Sequence, residues 1–334
     1  MSIGKFGKAF HAAFGGALIA TGLMAAGNAS TLDKIDFGSD WVAEAEHGGF
    51  YMAKAMGIYE KYGLDVTIHP GGPQVNNPQL VVSGALDIAM LSSAMQPILY
   101  TKQDVPLVAV ASFYQKSPNA LMAHASQGYE SLADLKGKPI MVSSYAQDSY
   151  WPWLRTKYGY TDDQIRPFSY NISPFLAQND AIQQAYLTAE PYIAEKAGVE
   201  PKVFLLADSG YRDYAALIGV SKKMIEEKPD VIKRFLEASI EGWKEFFEGD
   251  PTPAFKMIQK DNPEMEMDVM KNTRKLLQKY EILSAGDAKT MGVGAMTDKR
   301  WAEFKDQLVE SGMYEEGMNY KDAYTLKFVK ELQE

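Results

Sequence analysis

The chain has 334 residues, 46% of them hydrophobic and 23% charged, with a formal net charge of −9. That length is enough for more than one ordinary core. The absence of cysteine excludes disulfides, thiol catalysis, thiolate metal ligands and a lipidated N-terminal cysteine. The acidic balance argues against nucleic acid or an anionic membrane surface as a partner.

Residues 1–29 read as a cleaved secretory signal peptide. Lys5 and Lys8 precede an acid-free run of small and apolar residues that ends at Gly27 and Ala29. Losing the two lysines takes the charge from −9 to −11. The expected mature protein is periplasmic, monomeric and not inserted in the membrane.

From there the pattern alternates. "LDKIDFGS" (32–39) predicts a first strand, "FYMAKAMGIYEKYG" (50–63) a helix stopped by Gly63, and "LDVTI" a second strand. Asn77-Pro78 opens another helix, and "LDIAML" is a third strand. Ser92 or Ser93 caps a helix toward Tyr100, and "VPLVAVASFY" is a long apolar strand. "NALMAH" (119–124) begins a similar series: "KPIMVSS", an aromatic-rich helix, "IRPFSYN", "QAYLTAEP" and "PKVFLLAD". "YAALIGVS" (214–221) is again extended, and residues 222–334 read as almost entirely helical, clearest in "KPDVIKRFLEASIEGWKEFFEG". Strands alternating with helices predict mostly parallel sheets. Two α/β units joined by two extended segments, with a helical tail, predict a two-crossing hinge able to close around a ligand; one continuous sheet is the alternative.

"GGFYMAKAMGIYEKYGLDV", "VVSGALDIAML" and "LADLKGKPIMVSS" resemble the periplasmic substrate-binding proteins of ABC importers. The branch is the one that holds thiamine-pyrimidine-precursor binders and, more distantly, sulfonate, taurine and nitrate binders. The resemblance runs from Ile35 to Phe328. It implies an α/β, type II-like Venus flytrap with the ligand between two lobes and the C-terminal helices on the first. On that reading lobe 1 is 30–118 plus 219–334, and lobe 2 is 119–218. Yeast enzymes that make the thiamine pyrimidine share the fold, but they carry a cysteine-rich motif and use a bound vitamin and iron. A cysteine-free, secreted chain departs from them, so no enzyme activity and no cofactor is expected.

Ligands of open α/β sheets sit beyond the carboxyl ends of the strands. That rule selects Trp41, Tyr145, Trp151 and Tyr192 as ring-stacking candidates, with Tyr114 at the end of the long apolar strand. Glu190 stands ready to accept hydrogen bonds from an aminopyrimidine edge, with Thr188 as cap and Pro191 in the first turn of the helix that it opens. Glu44, Glu46 and His47 form a second polar cluster, of which Glu46 and His47 are taken as contacts. Ser92, Ser93 and Ser144 precede helices and could hold an anion. Gly72, Asn76 and Asn171 complete the strand-end loops. No HExxH, GxSxG or metal-ligand spacing appears, so neither a catalytic residue nor a metal is expected. A small planar heterocycle delivered to an importer permease is the leading function. A small organic anion and a secreted enzyme of pyrimidine metabolism are the alternatives. Arg155, Arg166 and Arg212 are the basic groups that would favour the anion.

Overall fold

The computed structural model describes residues 32–317 and 319–332; the expected signal peptide lies outside them. Ten strands alternate with helices: β1 Asp33–Gly38, β2 Leu64–His69, β3 Ile88–Leu91, β4 Leu107–Tyr114, β5 Asn119–His124, β6 Ile140–Val142, β7 Ile165–Pro167, β8 Ile182–Tyr186, β9 Pro201–Leu205 and β10 Ala215–Ser221. They form two five-stranded sheets of matching topology, β2-β1-β3-β10-β4 and β7-β6-β8-β5-β9.

Each sheet is mixed, where alternation alone predicted mostly parallel strands. β1 runs parallel to β2 and β3, while β10 lies antiparallel between β3 and β4. In the second sheet β6 runs parallel to β7 and β8, and β5 lies antiparallel between β8 and β9. The cause is the pair of crossings. The chain leaves the first sheet through residues 115–118 to enter β5, and returns through 206–214 to enter β10. A strand arriving from the other sheet is not delivered by a βαβ crossover, so it is free to run antiparallel.

The first sheet is covered by a ring-rich layer. Phe37 on β1 meets Phe50 at 5.0 Å and Phe235 at 5.1 Å. All three are fully buried, each worth about 1.5–3 kcal/mol of transfer free energy. Helix Gly48–Ala55 lies against helix Pro229–Glu248. The contact needs Gly48 and Gly49: a Cβ on Gly49 would sit 2.1 Å from Trp243 Cγ, and one on Gly48 2.3 Å from Phe246 Cζ. This close approach fixes the start of the helix and the loop before it.

The helical tail packs mainly on the first sheet. Tyr324 bridges to Ala109 and Gly294 to Ser112, both on β4. Helix Asp298–Glu310 also braces the return crossing: Gln307 Nε2 donates to Gly210 O at 2.7 Å, and Phe304 meets Tyr211 edge-on at 5.6 Å. Among the described residues no helix is long and apolar enough to cross a membrane.

Candidate functional site

Loops from both sheets converge between the β1 end and the β8 end. After β1, Ser39 Oγ donates to Trp41 O at 2.8 Å and Gly71 N donates to the same carbonyl at 2.9 Å, which staples this loop to the one after β2. The Trp41 ring then lies 5.0 Å from Tyr170, which follows β7 in the other sheet. Two rings from opposite sheets therefore meet across the gap.

An acidic strip runs beside this pair. His47 is 2% exposed and its Nε2 lies 3.1 Å from Asp40 Oδ1. Thr188 Oγ1, beyond β8, donates to Glu46 Oε1 at 2.6 Å. The Thr188 carbonyl accepts from Thr273 Oγ1 at 2.9 Å. Tyr114 donates its hydroxyl to the Glu46 carbonyl at 2.7 Å. Glu190 Oε2 accepts from Tyr186 N at 2.7 Å. Thr188 is thus not the cap of helix Glu190–Lys196; its hydroxyl is drawn across the gap by the stronger carboxylate acceptor.

These carboxyls sit in one field. Burial raises Glu44 well above the ordinary carboxylate range, and Glu46, Glu190 and Asp40 push it further. Burial raises Glu46 against the opposing hydrogen bond from Thr188. Burial likewise raises Glu190, with the Tyr186 N–H opposing. Tyr114 and Tyr186 are held well above the usual phenol range by burial, with nearby acids contributing. Near the crossing, Asp213 is 1% exposed and accepts from Ala94 N at 2.9 Å. Burial pushes it up to about 7. Tyr145 joins the strip: burial raises it, and Asp213 and Asp40 both act on it.

The remaining candidates fall into two groups. A polar cavity of about 350 Å³ opens at the ends of β2 and β3, and Asn76, Ser92 and Asp40 line it together with Asn77, Met90 and Gln96. Asn76 caps the next helix from there, and the Ser92 N–H donates to Gln96 Oε1. Gly72 holds its turn through Val75 N. Ser93 is buried and accepts from Met95 N in the turn before helix Met95–Tyr100, but the cap position of that helix is Ala94, which makes no side-chain cap bond, so neither Ser92 nor Ser93 caps it. Ser143, not Ser144, caps the helix after β6, accepting from Ala146 N; Ser144 is exposed. Asn171 is exposed and bonds Ser173 N, and Tyr192 reaches Asp268 at 3.4 Å.

Trp151 belongs to the core instead of the gap. It is 1% exposed, donates Nε1 to Asp162 at 3.0 Å and packs edge-on against Tyr160. The aromatic run around it knits helix Trp151–Tyr158 to the return crossing, through Trp153 and Tyr150 on Tyr211. Sequence reasoning did not single out Asp40, Tyr186 or Asp213, and from the Tyr170–Asn171 loop it took Asn171, not the Tyr170 ring. Tyr170 and Asp40 were signalled by their strand-end loops, and Asp213 by its place in a crossing segment. Among the described residues no group of three or more His, Cys, Asp or Glu could hold a metal ion.

Two sheets of this topology, joined by two crossings, make the periplasmic-binding-protein fold, type II. The match to the periplasmic sulfonate-binding protein SsuA of Methylobacillus flagellatus shows it: TM-score 0.64 at 13% identity, over 91% of this chain and 94% of that one. The desulfurization enzyme DszB shares the fold, with TM-score 0.57 at 12% identity over 90% and 98% of the two chains. The chain belongs to the NMT1/THI5-like family, whose model matches residues 44–253. It is 21% identical to the riboflavin-binding protein RibY of Chloroflexus aurantiacus, over 90% of this chain and 87% of the relative. It is 27% identical to the formylaminopyrimidine-binding protein of Halalkalibacterium halodurans, over 75% and 78%.

Proposed function

We propose that this protein is the periplasmic substrate-binding component of an ABC importer and holds a small planar heterocycle of pyrimidine or thiamine-precursor type. The binding site is the gap between lobe 1 (30–118 plus 219–334) and lobe 2 (119–218). The observation that carries this is the Trp41–Tyr170 ring pair, drawn from opposite sheets beside a strip of carboxyls. A flat ring stacks on such side chains for about 0.5–1.5 kcal/mol beyond its area burial. Glu190 and its neighbours read the ring's edge. The lobes close about residues 117–124 and 212–219, and the closed monomer docks on the permease. The named relatives that bind riboflavin and formylaminopyrimidine, both planar, support the reading.

The anion alternative has less support. Arg155 is engaged with Asp162 at 2.9 Å, Arg166 Nη1 donates to the Asp163 and Ile165 carbonyls, and Arg212 is exposed. Binding without turnover is the reading favoured over an enzyme of pyrimidine metabolism. The test is a thermal-shift screen of protein unfolded and refolded to strip carried-over ligand. A bound compound at a hundredfold excess over its Kd stabilises by about 2.7 kcal/mol, a shift of several degrees. Pyrimidines or flavins should raise the melting temperature, and taurine and alkanesulfonates should not. The reverse pattern would remove the heterocycle.

A further inference from the structure

We infer that the polar cavity at the ends of β1, β2 and β3 is a subsite for a neutral, hydroxyl-rich substituent on the ligand's ring, so that the full ligand is a planar heterocycle with a sugar or polyol tail. This rests on the placement of the ring at Trp41 and Tyr170 proposed above. The three strands run parallel and end on one side of their sheet, where ligands of such sheets collect. The cavity holds about 350 Å³, inside the range of roughly 300–1,000 Å³ typical of small-molecule sites. It begins one residue from the stacking ring, because Asp40 lines it and Trp41 follows in the chain. The loop after β2 supplies Gln74 and Asn76 to the wall, and the Gly71 N–H ties that loop to the Trp41 carbonyl at 2.9 Å. A ring held against Trp41 therefore has the cavity beside it.

The lining sets the chemistry. Small-molecule pockets are ordinarily walled by apolar and aromatic side chains. This one presents Asp40, Gln74, Asn76, Ser92, Gln96 and Tyr100, and no Lys, Arg or His. Much of their bonding capacity is unused. Gln96 Oε1 accepts from the Ser92 N–H at 2.9 Å, and Asp40 Oδ1 lies 3.1 Å from His47 Nε2. The Ser92 and Tyr100 hydroxyls, the Gln74 amide, Gln96 Nε2 and Asp40 Oδ2 have no partner among the described residues. Amides and hydroxyls offer donors and acceptors together, and a ligand hydroxyl is both at once, so a row of hydroxyls matches this wall. A phosphate or sulfonate would meet the Asp40 carboxylate with no cation to offset it. A hydrocarbon chain would displace water from these groups without replacing its hydrogen bonds.

The experiment compares rings with and without the tail. Cytosine and cytidine form one pair, lumiflavin and riboflavin a second, and cytidine 5′-monophosphate adds a charge to the tail. Each is titrated calorimetrically into refolded wild-type protein at neutral pH. Two or three added neutral hydrogen bonds predict the tailed member of a binding pair about tenfold tighter than its bare ring, and the monophosphate weaker than cytidine. The double variant Gln74→Ala/Ser92→Ala removes two side chains that bond nothing in the protein, and should cut the advantage of the tail to about twofold. A bare ring binding as tightly as its tailed form, or the monophosphate binding best, would overturn the subsite and leave the ring placement standing. A tail advantage undiminished in the double variant would overturn the assignment to this cavity. No binding in either pair would remove the planar heterocycle itself, and the subsite with it.

Discussion

Asp213→Asn isolates the most strongly shifted of the acids with a defined midpoint. Burial moves this carboxyl from its ordinary 3.8 to about 7. The native protein therefore holds the proton more tightly than the unfolded chain. Stability from this group is highest at low pH and falls as pH rises from 3.8 toward 7, the interval in which only the unfolded chain has released its proton. At about 1.4 kcal/mol per pKa unit, the loss between about pH 4 and about pH 7 is about 3 kcal/mol. Asparagine keeps an oxygen for the Ala94 N–H and does not titrate. Urea unfolding of both proteins at several pH values measures the effect. Glu44, Glu46 and Glu190 tilt both curves in the same direction, so they largely cancel in the difference. The variant should gain on the wild type by about 3 kcal/mol across that interval. Parallel curves would refute the buried, proton-holding carboxyl.

Other substitutions separate site from scaffold. Tyr170→Ala should weaken ring binding by about 0.5–1.5 kcal/mol with little change in melting temperature, read by calorimetry. Thr188→Val removes the donor to Glu46 and should destabilise by about 1.5–3 kcal/mol near neutral pH, less in acid where the carboxyl is protonated, read by urea unfolding. Gly49→Ala places a methyl against the Trp243 ring and should cost about 1–3 kcal/mol, seen as a lower urea midpoint. Trp151→Phe should lower stability through the lost Asp162 hydrogen bond while ligand affinity stays at the wild-type value.

The alternation of strands and helices was legible because each element carries a local signal. Gly63 and Gly84 stop helices, and the Asn76–Pro78 stretch starts one. The antiparallel entries of β5 and β10 were not legible, because strand direction there follows from crossings between distant segments. Nor was the fate of the aromatic run 145–160. Tyr145 and Trp151 look alike in sequence, yet they lie on two separate helices, Ser144–Asp148 and Trp151–Tyr158, so Trp151 packs on Tyr160 while Tyr145 stays near Asp40 and Asp213. Thr188 read as a cap because its partner, Glu46, lies 142 residues away. Local chemistry points to strand-end loops; pairing across the gap is a property of the folded chain.

The most direct measurement is a crystal structure of the refolded protein grown with formylaminopyrimidine. The account predicts the ring between the sheets, against Trp41 and Tyr170, with its amino edge toward Glu190. A ring bound instead only in the cavity lined by Asn76 and Ser92, or a gap that fills with a sulfonate and leaves the pyrimidine out, would contradict it.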